Sequence, residues 1–429
     1  MLLALAPLAY LIHLCVRLHI DVPFGDQWEL VPRLAHFQSG ALSFNDVWRQ
    51  HNEHRPAFPI LIMLGLARAT RWNISAEIAA NVVLGAGIFL VCAAALRSVY
   101  RGLPEARWWL LPVLSLLIFS PQQWENWLWG WQIQIFLGVL AGLVGFWLLA
   151  HPKPSAWRFG GALLCGVVGT YSFSSGLTYW VVGPIALWLR PELRGWRRAG
   201  LWTVVGSATI ASYFTDYHLN PGHPSLLSNF ATLDAFGKFM LYVVKYLGAP
   251  VASVSVPLAA LTGAAGLVLF FALLAARWRQ RGTAGFVFPC TVGLNAVAAA
   301  VMTGLGRAGY GSDQALSSRY GTIAEPLWLA IAFLALCVAL KGVPSAYTRR
   351  RAGMMAVGAV LVSLVVVSSG QAALVAAKAR MNHLRPLRVA LRGAWDWPKV
   401  AQLYVNNVPL TQERVQQLQA MQMSVFRTQ

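Results

Sequence analysis

The sequence predicts an all-α polytopic membrane protein with about 11 to 13 transmembrane helices. Of its 429 residues, 57% are hydrophobic and only 11% charged, with a mean hydropathy of +0.55, whereas a soluble protein carries roughly 25% charged residues. Apolar runs recur from residue 1 to residue 370, many near the ~20 helical residues that a bilayer core of about 30 Å requires. The connecting loops are of two chemical kinds that alternate along the chain.

Taken in order, the expected spans lie near 1–19, 75–96, 107–120, 132–150, 159–172, 177–190, 199–216, 255–276, 284–304, 324–341 and 352–370. The first lacks a polar, small-residue cleavage region after its apolar run, so it is expected to be retained. Two further apolar segments are ambiguous: 57–72 holds Arg68 and Arg71, and 236–252 holds Lys238 and Lys245. One kind of loop is basic (Arg97, Arg101 and Arg107; Lys153 and Arg158; Arg190, Arg194, Arg197 and Arg198; Arg277, Arg279 and Arg281; Lys341, Arg349, Arg350 and Arg351) and is expected to face the cytoplasm. The other kind is rich in Trp, Tyr, amides and acids, spans 20–56, 122–132, 172–178, 216–234 and 307–322, and is expected outside. If 57–72 crosses, the charge rule fails locally; if it does not, it is a non-crossing or re-entrant helix. The chain divides into a transmembrane part, 1–370, and an amphipathic polar tail, 371–429.

Lys and Arg outnumber Asp and Glu by 34 to 15, a net charge of +19. In a soluble protein this would suggest nucleic acid, but 16 of the basic residues fall in the loops just named and serve topology. No nucleic-acid partner is therefore expected. The five cysteines sit in apolar stretches without CxxC spacing and read as core residues.

Acids are scarce, so their placement carries information. Asp21, Asp26, Glu29, Asp46 and Glu53, a third of the fifteen, lie in the first non-basic loop. A carboxylate there can accept a proton from an incoming hydroxyl, with His51, His54 or Arg55 tuning it or meeting phosphate; the plain alternatives are helix caps and a polar helix end facing headgroups. His51 and His54 lack the spacing of the HExxH zinc motif, and a divalent metal is left undecided. A second cluster, Gly304 to Tyr320, brings Arg319 and Tyr320 to a membrane face, for phosphate binding or headgroup anchoring. A third, Trp124-Glu125-Asn126-Trp127-Leu128-Trp129-Gly130-Trp131-Gln132, is either an interfacial aromatic belt or a surface for stacking a sugar. The break at Ser172–Gly176, with Ser174 and Ser175, interrupts apolar spans and implies a water-filled cavity.

These residues resemble the GT-C class of integral membrane glycosyltransferases. Phe24-Gly25-Asp26-Gln27-Trp28, His51-Asn52-Glu53-His54-Arg55, Ser172 to Gly176, Ser318-Arg319-Tyr320 and Ser424-Val425-Phe426 are similar to a broad, largely uncharacterised bacterial subgroup of that class. The resemblance implies a polyprenyl-phosphate-linked sugar as co-substrate and donor. The acceptor would be a glycan, glycolipid or protein, with transfer at the external face of the bacterial inner membrane. By the same resemblance, Asp26 matches the general base; Asp21, Glu29 or Glu53 could share the work, with Glu53 taken as the second catalytic carboxylate. Arg55, Arg319 and Tyr320 would meet the donor phosphate. Asp21, Trp28, His51, His54, Trp124, Glu125, Trp127, Ser174 and Ser175 would contact donor or acceptor. Many members carry two adjacent acids where this chain has Gly25 and Asp26. A transporter or lipid-linked-sugar flippase, or a scaffold of an envelope complex, are the competing readings. A transporter should hold ionisable groups at mid-span helix breaks, whereas the spans here hold few acids.

Overall fold

The computed structural model describes residues 2–101, 105–219, 225–340, 345–393 and 395–427. It is 82% helical, and among the described residues the one extended pairing is a bridge between His51 and His54. In chain order the α-helices are α1 (Leu2–Leu18), α2 (Leu30–Gln38), α3 (Phe44–Trp48), α4 (Ala57–Thr70), α5 (Ile74–Ser98), α6 (Leu110–Ile118), α7 (Trp124–Leu128), α8 (Ile133–Ala150) and α9 (Ala156–Thr170). They continue as α10 (Leu177–Leu189), α11 (Trp196–Tyr213), α12 (Leu233–Leu247), α13 (Val256–Ala276), α14 (Ala284–Arg307), α15 (Gly321–Leu340), α16 (Ser345–Arg392), α17 (Trp397–Val400) and α18 (Val408–Ala420).

Among the described residues, five helical stretches are long and apolar enough to cross a membrane: Ile74–Ser98, Gly130–Ala150, Val256–Ala276, Ala284–Tyr310 and Ser318–Ala339. Others coincide with expected spans but are shorter. α6 has 9 residues and α10 has 13, about 14 and 20 Å at 1.5 Å per residue. In the expected span 107–120, a 3-10 turn over Glu105–Trp109 precedes α6, and Pro112, which has no amide hydrogen to give, falls in the first turn of α6.

The two kinds of loop gather at opposite ends of the helical body. At the basic end, the Tyr100 hydroxyl donates to the Gly285 carbonyl and its ring stacks on Phe333, and Arg190 donates to the His151 carbonyl at 3.4 Å. Lys341 lies outside the described residues, as do the side chains of Arg349, Arg350 and Arg351. The non-basic loops meet at the other end around one cavity. Both ends of α4 are held there. Phe58 N–H donates to the Tyr171 carbonyl at its start, and the Arg71 carbonyl accepts from Ser424 N–H just past its end. Both ends of α4 therefore sit at this end of the body. α12 is held here too: Lys245 donates to Ser312 and Asp313, while Leu233, Phe236, Met240 and Leu241 form an exposed apolar face.

The boundary expected at 370/371 falls inside α16, where the Ala-, Leu-, Lys- and Arg-rich stretch after it continues the helix. Beyond α16 the chain folds back onto the first loop. Tyr404 stacks on Trp28 and its hydroxyl donates to Glu29, and Arg427 pairs with Asp21 at 2.5 Å.

Candidate functional site

A cavity of about 650 Å³ opens where the non-basic loops converge, within the usual range of ligand sites, ~300–1,000 Å³. Asp26 comes from the 3-10 turn Gly25–Glu29 that follows α1. Gly25 takes φ +56° with the Trp129 ring 3.1 Å from where a Cβ would stand; a second acid at this position would be strained and blocked.

His51 and His54 exchange both backbone hydrogen bonds, 2.8 and 2.9 Å, around a tight turn with Asn52 at φ +49°. Residues paired in this way project side chains to one face, so both imidazoles line the cavity. His51 Nε2 stands 3.6 Å from the Asp26 carboxylate, and its ring meets Trp131 edge-on at 4.9 Å. His54 stacks on Phe173 at 4.1 Å, and its Nδ1 accepts from the Ser174 N–H at 3.3 Å. That bond leaves Nε2 as the protonated nitrogen, 3.9 Å from Glu53. Burial, helped by His51 and Arg307 against the opposing charge of Glu53, lowers the His54 pKa to about 3, so the ring is neutral. Burial pushes the Asp26 carboxyl up, but the hydrogen bond and charge of His51, with Arg319 and His54, outweigh it and hold Asp26 below its ordinary value. Asp26 is a carboxylate at neutral pH.

Two cations reach the cavity from the far side. Arg307, the last residue of α14, clasps both Glu53 oxygens at 2.7 Å. Arg319 donates through Nε to Ser317 at 3.1 Å and lies 5.8 Å from the centre of the Tyr320 ring. Glu125 positions it from behind, accepting from Ser318 Oγ at 2.8 Å and from the Arg319 amide at 3.3 Å. The remaining wall includes Tyr213, Phe214 and Tyr217, with Leu219, Leu226 and Leu227 as exposed apolar members of the lining.

No protein-family model matches the chain, and no match is found among curated proteins or solved structures.

Of the residues singled out in the sequence, Asp26, His51, Glu53, His54, Ser174, Arg319 and Tyr320 line this cavity. The others are placed elsewhere. Arg55 is buried and donates to the carbonyls of Trp48, Tyr213 and Thr215; it caps the C-terminus of α11 instead of facing a phosphate. Asp21 receives the Ile74 N–H at 3.0 Å and pairs with Arg427. Trp28 donates to the Pro23 carbonyl and Trp127 to that of Ser120, both inside the body. Trp124 lies 5.9 Å from Arg380. Ser175 is buried in the turn before α10. Asp46 caps α3, with its pKa at about 2; burial raises it, and hydrogen bonds from Ser43 and His36 more than reverse that.

Gln134, Tyr213 and Tyr217 line the cavity without having been singled out in the sequence, whereas Arg307, Trp129 and Trp131 belong to the runs Gly304–Tyr320 and Trp124–Gln132 read there as phosphate-binding and sugar-stacking candidates. The signal for the indoles was present, since all four belong to one run. α7 ends at Leu128, however, and only the indoles beyond that point turn into the cavity. Among the described residues, no three His, Cys, Asp or Glu side chains converge in a way that could hold a metal.

Proposed function

We propose that the chain is a GT-C-like membrane glycosyltransferase that moves a sugar from a polyprenyl-phosphate donor to an acceptor hydroxyl. The observation that carries this reading is the cavity itself. An ionised carboxylate with a histidine partner faces a cation across a chamber whose lining includes exposed leucines. Asp26 would take the proton from the acceptor hydroxyl. The oxygen would then attack the anomeric carbon, and the bond from that carbon to the phosphate oxygen would break with its electron pair leaving on the phosphate. Arg319 would stabilise that charge, and Arg307, already neutralising Glu53, would hold the loop in place. Those leucines suit an isoprenoid tail entering from lipid. The resemblance of its motifs to that class favours the same chemistry, as an inverting transfer at the external face of an inner membrane, in a chain crossing about 11 to 13 times.

Purified protein incubated with a panel of polyprenyl-phosphate sugars should consume one donor, read by mass spectrometry. Asp26→Asn should abolish transfer while donor binding persists; unchanged transfer would remove Asp26 from this role. Arg319→Ala should weaken donor binding by about tenfold, as expected for one charged hydrogen-bonding partner. An effect confined to the acceptor would refute the phosphate role. If no donor is consumed and acid replacements in the cavity alter substrate movement across vesicles, the transporter reading takes its place.

A further inference from the structure

We infer that the floor of the cavity, formed by Trp131, Gln132 and Gln134, is the subsite for the sugar ring of the donor. The inference rests on the reading of the cavity as a donor site and assigns the part of it that recognises the glycosyl group.

The observation is an unusual concentration of unmet hydrogen-bonding capacity. Trp131, Gln132 and Gln134 are 1%, 2% and 5% exposed. The Trp131 Nε1, the Gln132 Oε1 and the Gln134 Oε1 have no hydrogen-bond partner among the described residues. Each such group costs about 1–3 kcal/mol when left dry, and three within four consecutive residues call for a specific cause. All three residues line the cavity. Of the neighbouring amides in the same stretch, Gln122 Oε1 accepts from Ser369 at 3.0 Å and Gln123 Nε2 donates to Glu325 at 3.2 Å; Asn126, outside the cavity lining, has its Nδ2 engaged by Arg319 and Thr322 and its Oδ1 without a partner among the described residues.

The chemistry of the three groups selects the ligand. One indole N–H and two primary amides offer donors and acceptors side by side without a formal charge. A terminal amide can turn about its last torsion to present either atom. Adjacent hydroxyls of a sugar ring require that combination. A phosphate would call for a cation, and the arginines that line the cavity, Arg307 and Arg319, come from other segments of the chain; an isoprenoid tail would call for no polar groups at all. Position agrees with chemistry. Trp131 touches His51, and His51 reaches Asp26 at 3.6 Å, so a ring seated here adjoins the base. Trp129, also on the wall, offers an indole for the ring's apolar face.

The test compares bare polyprenyl phosphate with the same lipid carrying each of a panel of hexoses, using detergent-purified protein and thermophoresis. Wild type should bind one glycosylated lipid at least about tenfold more tightly than the bare lipid. Gln132→Leu and Gln134→Leu should erase that preference while keeping the affinity for bare lipid. If both variants keep the preference, the subsite assignment is overturned and the donor-site reading stands. If wild type binds neither lipid, that reading itself fails. A second measurement does not depend on the variants folding: the preferred donor, with a diazirine on its sugar, should photolabel wild type within residues 129–135. Labelling confined to other segments would overturn the assignment.

Discussion

Asp26 and His54 lie in one cavity yet settle into opposite charge states, and partners decide which. Burial acts on both against the charged form, but Asp26 has His51 and Arg319 to offset it. The pKa of His54 is pushed down first by its burial, and the charge of Arg307 together with a backbone N–H on one nitrogen further disfavours its protonation. The consequence for stability has a definite sign. With a pKa of about 3 in the fold against 6.5 for an ordinary histidine, the unfolded chain binds more protons between these values. The contribution of His54 is complete above pH 6.5 and is lost as pH falls toward 3, by up to about 1.4 kcal/mol per unit. In detergent, the melting temperature of wild type should therefore fall more steeply between pH 6.5 and 4.5 than that of His54→Asn; parallel slopes would show that His54 is not the titrating group. At this scale the sequence was a good guide to residue type and a poor one to partner. Asp26 and His51 stood out by the crowding of acids and histidines in the first loop, with Asp26 picked among the acids by the motif resemblance, whereas Arg55 looked as well suited to phosphate as Arg319. What separates those two arginines is which carbonyls happen to end beside Arg55, and that is decided by the end of α11, 158 residues away.

Between elements, the contact that matters most for the site is Glu77, near the start of α5. Its two oxygens accept from Gln27 at 2.5 Å and from Trp72 at 2.7 Å, and one lies 2.0 Å from where a Cβ on Gly130 would stand. One buried carboxylate thus ties the turn bearing Asp26, the end of α4 and the segment bearing Trp131. An acid within an apolar helix suggests transport chemistry by default, and its actual role as a latch cannot be read from spacing because Gln27, the partner that links it to the site, lies 50 residues away. Glu77→Gln would set an amide donor against one of two donors and should cost about 1–3 kcal/mol. Gly130→Ala would push a methyl into the carboxylate and should cost at least as much. Thermal unfolding and Asp26-dependent transfer should fall together in both variants; full retention of both would show that the latch is dispensable. Helix positions themselves were legible from apolar runs, except where a 3-10 turn shortens the α-helix, as before α6.

Over the whole molecule, loop composition anticipated which loops share an end, because charge and tryptophan content follow the compartment that each loop must face. It left open the path of the segment 57–72, which depends on docking of the C-terminal segment against Arg71 and Asp21. In a cysteine-free background, Asn52→Cys and Arg197→Cys should react with an impermeant maleimide from opposite sides of the membrane, and labelling from one side would refute the two-ended arrangement. Removing residues 421–429 should abolish transfer while α1 to α15 still insert. If transfer survives, the clasp between Arg427 and Asp21 is ornamental. That clasp joins residues 406 positions apart, and it bears on the order of synthesis. Asp21, just before the turn that carries Asp26, is synthesised 406 residues ahead of the arginine that pairs with it. A chain that stalls before Arg427 is made would hold Asp21 without this partner, so the proposed transfer would not be expected to begin on a half-made copy.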